Sequence, residues 1–177
     1  WENFKPGGNN NRPRQDNTPW GRMDYGPFLS HTIGAPAPAG NDTLKGVAVK
    51  LDRGKAGMLF DTQLMRVSAA WTGNFLNLTG VAFSGDHGPH PQVNGTVRVA
   101  TAAGPGWARP GTTDFKDPRP EPYGPLPKDW MHYKGLYRSG GQVVFSYTIG
   151  STDVLESPGL ELDLHFVRTF VLGPSTQ

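Results

Sequence analysis

The chain reads as all-β, a β-sandwich with long Pro/Gly-rich loops and little helix. Three observations predict this. Apolar and polar residues alternate with strand period at Val47, Val49 and Leu51 and again over Gln142 to Ile149. The 24 Gly and 17 Pro among 177 residues are scattered without period between these runs. Strong strand-like runs lie between the loops despite a low apolar fraction of 36%, which reads as many short strands joined by long ordered loops. One domain of about this length buries a sizeable core without covalent staples.

Residues 1–19 are polar, rich in Asn, Gly and Pro, and are read as an arm or linker before a single domain over 20–175. Residues 20–31, WGRMDYGPFLSH, are an aromatic segment turned at Gly26-Pro27, expected to cap one end of the sandwich. Residues 45–84 are the longest proline-free apolar region and the expected centre of the core. Within it Gly54 and Gly57 mark a turn, and Met58 to Phe60 begin a second strand. Thr62 to Trp71 fits either strand or a helical turn, and Phe75–Leu78 and Val81–Phe83 read as two strands around Gly80. Asn77, in one of three glycosylation sequons with Asn41 and Asn94, therefore falls in a core strand, where a sequon arises by chance.

Gly95 to Ala102 reads as a strand with Val97 and Val99 on one face. Residues 103–130 carry almost no strand signal. Gln142–Ile149 is a clear strand, and Thr152–Glu156 pairs back on it. Leu160, Leu162, Leu164, Phe166, Phe170 and Leu172 then share one parity and predict one long strand. Arg168 interrupts that parity. It is expected to be at least half buried against a carboxylate, with Glu156 and Asp61 as candidates. His165, on the polar parity, is expected to be exposed.

Asp86, His87 and His90 form a loop, DHGPH, that is read as a rigid turn whose histidines bond loop carbonyls. The competing reading is a metal site, which needs a third ligand such as His31 or His132. The H-x-x-H spacing lacks the single-face geometry that a helix gives it, so no bound metal is expected. There is no cysteine, which rules out disulfides, thiolate metal sites and covalent haem within this segment. Basic residues exceed acidic ones by two and the charges are interspersed, so no nucleic-acid face is expected. No run approaches the ~20 apolar residues that span a bilayer. The start at Trp1, with no signal-like run, suggests a piece of a longer protein.

No nucleophile elbow, P-loop or dinucleotide fingerprint is present. The expected interaction surface is the long loop Gly104–Tyr137, with Trp107, Tyr123, Trp130, His132 and Tyr133 as contacts. Aromatics interleaved with cations are enriched at binding hot spots. The competing reading is that the same rings close one end of the sandwich.

The motifs DYGPFL, KGVAVKLD, GMLFDTQLMRVSAAWTGNFLNLTG, DHGPHP, YGPLPKDWMHYKGLY and VVFSYTIGSTDVLESPG, with RTFVLGPS at the end, span Trp20 to Ser175. As a set they resemble a domain of unknown function in large exported proteins of planctomycete type. There it precedes a β-propeller resembling sugar dehydrogenases and a c-type cytochrome module. The resemblance implies an exported accessory module of a redox or polysaccharide-processing protein; the leading expectation is a non-catalytic docking module with no cofactor of its own, any haem lying in a neighbouring module. Its partners would be the other modules of the parent protein. The alternatives are a carbohydrate-binding module that meets polysaccharide, and an enzyme built on the histidine site.

Overall fold

Nine strands in two antiparallel sheets account for nearly all the regular structure of this computed structural model, which describes residues 19–36, 40, 42–85, 87, 88, 90–120, 124–162 and 165–175. The proposed arm over 1–19 lies outside the described residues except for Pro19. One helical turn, α1 (Pro19–Arg22), precedes the strands. The first sheet is a five-stranded meander: β1 (Phe28–Gly34), β2 (Asp42–Leu51), β3 (Ala56–Asp61), β4 (Arg66–Asn77) and β5 (Gln92–Ala100). It curls into a barrel, closed by a parallel bridge between Gly34 and Gln92. The second is a four-stranded meander: β6 (Met131–Ser139), β7 (Gln142–Ile149), β8 (Thr152–Glu161) and β9 (His165–Leu172).

Strand alternation builds two cores from the same strands. Val47, Val49, Met58, Phe60 and Val67 point to the second sheet and meet Val143, Phe145, Tyr147 and Val154. The Phe60 and Phe145 rings stack with centroids 4.2 Å apart. Their neighbours Ala48, Leu59, Ala69 and Trp71 point the other way and fill the barrel with Ile33 and Val93. This is why β3 is buried at all six positions: both its faces are covered.

Trp71 is the largest side chain in the barrel and is fully buried. A Cβ on Gly57 would lie 2.3 Å from its ring, and one on Gly95 2.8 Å from it, so both positions must stay bare. Gly57 is thus a packing residue inside β3, and the turn expected there lies earlier, over Asp52–Gly54. The Trp71 indole N–H donates to the carbonyls of Asn74 (3.0 Å) and Phe75 (2.9 Å), which satisfies its polar edge.

Several sequence expectations are corrected. The ambiguous stretch Thr62–Trp71 is a turn to Met65 followed by strand. Phe75 and Leu76 continue β4, whereas Leu78–Ser84 is turn and coil, closed by Phe83 and Ser84 N–H groups on the Gly80 carbonyl. Asn77 is exposed at the end of β4 and not in the core. Val99 is 44% exposed while Val97 packs against the barrel core. The loop expected to run to Tyr137 ends at Trp130, because Met131–Ser139 is strand. The single long strand over 160–172 is a hairpin, β8 to β9, turning at Leu162, which is left-handed (φ 47°) and 85% exposed. No helix among the described residues is long and apolar enough to cross a membrane.

Candidate functional site

Among the described residues, three ion pairs have a buried carboxylate, two of them flanking the long β5–β6 connection and one within it. In the first, Glu156 is fully buried on β8. Its Oε1 accepts from Arg168 Nε at 2.6 Å, and its Oε2 accepts from Arg168 Nη2 (3.1 Å) and the Tyr147 hydroxyl (2.7 Å). Tyr147 in turn accepts from the Trp107 indole N–H at 3.1 Å. The Arg168 side chain is 32% exposed and lies over the Phe170 ring, 4.9 Å from its centroid. Burial works against its charge, but the Glu156 hydrogen bonds and charge outweigh this and raise its pKa.

Tyr147 is held far above its ordinary pKa near 10, first by burial and then by the charge of Glu156. A folded-state pKa above the unfolded one gives a stability term that is complete below about pH 10 and is lost as pH rises further. Denaturant unfolding between about pH 9 and about pH 11 is therefore expected to show stability falling by up to about 1.4 kcal/mol per pH unit from this group. Tyr147→Phe should flatten that fall. An unchanged slope in the variant would show that Tyr147 does not set it.

The second pair sits at the β3–β4 turn. Asp61 Oδ1 accepts from the backbone N–H of Gln63 (2.9 Å) and Leu64 (3.3 Å), and Oδ2 from Arg66 Nε (3.3 Å). Arg66 Nη1 reaches the Thr101 carbonyl (2.9 Å), the Thr101 hydroxyl (3.1 Å) and the Ala102 carbonyl (3.1 Å), where β5 gives way to the loop. Burial lowers the Arg66 pKa and Asp61 opposes that. Of the two carboxylates considered for Arg168, then, Glu156 is the partner and Asp61 belongs to Arg66.

The long connection is ordered by this turn. Gly106 N–H donates to the Leu64 carbonyl (2.7 Å) and Leu126 N–H to the Gln63 carbonyl (3.1 Å). A third ion pair holds its middle: Arg119 grips Asp117 through Nε (2.9 Å) and Nη2 (2.7 Å), and its hydrogen bonds keep Asp117 below the usual carboxylate range. Gly106 passes so close that a Cβ would lie 1.9 Å from the Met65 carbonyl oxygen. Gly106→Ala is expected to cost about 1–3 kcal/mol by overpacking, measured as a shift in the denaturation midpoint. A cost near zero would mean the loop yields freely.

Of the five contacts expected on this loop, the four that are described do not form one exposed face. Trp130 is 5% exposed, and its indole donates to the Trp107 carbonyl at 3.3 Å. Trp107 packs on the core and meets Phe170 edge-on, centroids 5.4 Å apart. Tyr133 is half-buried against the same core and its pKa is raised by burial. His132, next to it on β6, is exposed. Tyr123 lies outside the described residues. Trp130 belongs to the inter-sheet core and Trp107 packs against it.

The histidines do not converge on one point. His87 is exposed, and His90 Nε2 lies 3.0 Å from Asp42 Oδ1. His31 Nδ1 lies 2.9 Å from the Thr32 carbonyl and its ring meets Phe83. Asp86 lies outside the described residues. Among the described residues no three His, Asp or Glu side chains group as a metal site would require.

A surface site that sequence reasoning missed lies beside α1. Gly21, Arg22, Met23, Tyr25, Leu29, Lys50, Phe75, Leu76 and Leu78 line a cleft of about 220 Å³. Of its lining, Met23 and Tyr25 are 46% and 39% exposed, and Trp20, which precedes Gly21 in the chain, is 55% exposed. Lys50 bonds Asp24 and lies 5.4 Å from the Phe75 centroid. That bond, with the Gly26 N–H, holds Asp24 below the usual carboxylate range. Tyr25 meets Phe83 edge-on at 86°, not as a coplanar shelf.

Fold and site together define an all-β module of two packed sheets whose buried charges fix a long crossover. The chain belongs to the DUF6797 family, a domain of unknown function, whose profile matches residues 58–156, more than half of the chain. No curated protein and no solved structure matches it. The matched segment starts inside β3 and ends at Glu156. It therefore omits β1, β2, β9 and Arg168, which complete the barrel, the second sheet and the buried ion pair.

Proposed function

We propose that this DUF6797 domain is a non-catalytic docking module of a large exported redox protein. It positions neighbouring modules of the parent, a β-propeller resembling sugar dehydrogenases and a c-type cytochrome. The observation that supports docking is the cleft beside α1. Exposed Met23 and Tyr25 line it beside Arg22 and Lys50, Asp24 is bonded to Lys50, and exposed Trp20 directly precedes Gly21 of its wall. Aromatics and Met around a cation are the composition enriched at protein interfaces. The exported setting and the redox company rest on the resemblance of the motifs described above. Any haem would be held by the cytochrome module, since this chain has no cysteine to attach it.

A second reading is a carbohydrate-binding module. Its support is the exposure of Trp20 and Tyr25, two aromatic residues that lie on either side of Asp24 in the chain. One titration separates the two. The chain is titrated with the isolated cytochrome and propeller modules of its own parent protein, and in parallel with hexasaccharides of glucose and xylose. Docking predicts saturable binding to a module, weakened about tenfold or more by Trp20→Ala with Tyr25→Ala. Saturable binding to a hexasaccharide, lost in the same variant, would replace docking with the glycan reading. Binding to neither would overturn both.

A further inference from the structure

We propose that β9 is a self-association edge, along which the protein pairs antiparallel with β9 of a second copy to make one continuous eight-stranded sheet. This is independent of the cleft beside α1. The second sheet has two edges, β6 and β9, and they differ in how they are protected. β6 carries Arg138 and Lys134, the latter paired at the surface with Asp153, and is broken by a bulge between Tyr133 and Gly135, devices that discourage pairing. β9 has none of these. Its register with β8 is unbroken from Val154 and Leu172 to Glu161 and His165. Its one full charge, Arg168, is neutralised by Glu156.

Pro158 fixes which groups β9 presents outward. It stands opposite Arg168 and has no N–H, so that pair is a non-hydrogen-bonded one. The bonds to β8 therefore come from His165, Val167, Thr169 and Val171. The N–H and C=O groups of Phe166, Arg168, Phe170 and Leu172 point to the free edge. Among the described residues no other segment's backbone bonds to them.

Three two-fold registers use most of this edge. Centring on Arg168 places it opposite the partner's Arg168, like charge on like. Centring on Phe170 places Phe166 opposite the partner's Pro174, which has no N–H to give. Centring on Thr169 has neither fault. It pairs Phe166 with the partner's Leu172 and Arg168 with the partner's Phe170 at hydrogen-bonded positions. Between them Val167 meets the partner's Val171 and Thr169 meets the partner's Thr169. Val171 is 63% exposed and Leu155, beside it on β8, 38% exposed, so the seam extends an apolar stripe that the single copy leaves in water.

The test is sedimentation of the whole chain over a micromolar concentration series, with amide exchange on the same samples. A dimer is expected, with Phe166, Arg168, Phe170 and Leu172 amides protected in step with dimer population. Val167→Lys with Val171→Lys should weaken it at least about tenfold, since two like-charge pairs face across the seam. Val167→Lys with Val171→Glu should restore it, because this register sets opposite charges face to face. A monomer throughout, or a dimer indifferent to both variants, would overturn the proposal. So would protection of these amides that does not depend on concentration, which would mean another part of the same chain covers the edge.

Discussion

Glu156→Ala is expected to lower unfolding free energy by about 3–5 kcal/mol, the scale of breaking a buried ion pair by removing one partner. The carboxylate is fully buried and carries three of the bonds in its network. Removing it leaves the Tyr147 hydroxyl without an acceptor in the core and Arg168 without its counter-charge. The loss should travel further, since Trp107 hangs from the same hydroxyl and tethers the long connection to the second sheet. A double-mutant cycle with Arg168→Met sharpens the test. The second change removes the orphaned charge, so the pair of substitutions should cost less than the sum of the two. Equal costs that simply add would show that Glu156 and Arg168 do not act together.

Asp61→Ala is expected to cost a similar amount, about 3–5 kcal/mol, because it strands Arg66 at 4% exposure. The effect should also have a location. Asp61 shapes the turn whose Gln63 and Leu64 carbonyls receive Leu126 and Gly106. Hydrogen exchange at the Gly106 and Leu126 amides should therefore quicken more than exchange in β7. Uniform quickening across the molecule would refute a local role for this turn.

Much of the strand architecture can be read from alternation, and the misreadings have specific causes. β2 and β7 each show one apolar parity because each has a residue set committed to the inter-sheet core. The end of β8, from Leu160, and β9 read as one strand for a geometric reason. Leu160 pairs with Phe166 across the turn, and both residue numbers are even, so core-facing parity continues unbroken through the hairpin. Alternation alone cannot detect a turn of that register. β6 was hidden by its bulge, which shifts the parity between Tyr133 and Gly135.

Arg168 could be found because a lone cation on an apolar parity must have a partner. Arg66 carries the same signal within LMRVSAAW, but it fell where helix and strand could not be told apart. The cleft beside α1 left no trace in any one segment. Its walls come from residues 21–29, from Lys50 and from residues 75–78, which only the closed barrel brings together.

The sequential order of the strands also dictates how the molecule is made. Apart from the Gly34–Gln92 bridge, every strand pairs with its neighbour in the chain. All five barrel strands, with Trp71 and the glycines that admit it, leave the ribosome before residue 101. Hairpins of such low sequence separation form early and the barrel can close on a nascent chain. Its other face then waits. Val47, Val49, Met58 and Phe60 stay wet until Phe145 and Tyr147 have been synthesised and the crossover has swung the second sheet across. The half-made protein thus carries an exposed apolar wall for the time it takes to translate some fifty further residues, and that interval is its period of greatest exposure to misassembly.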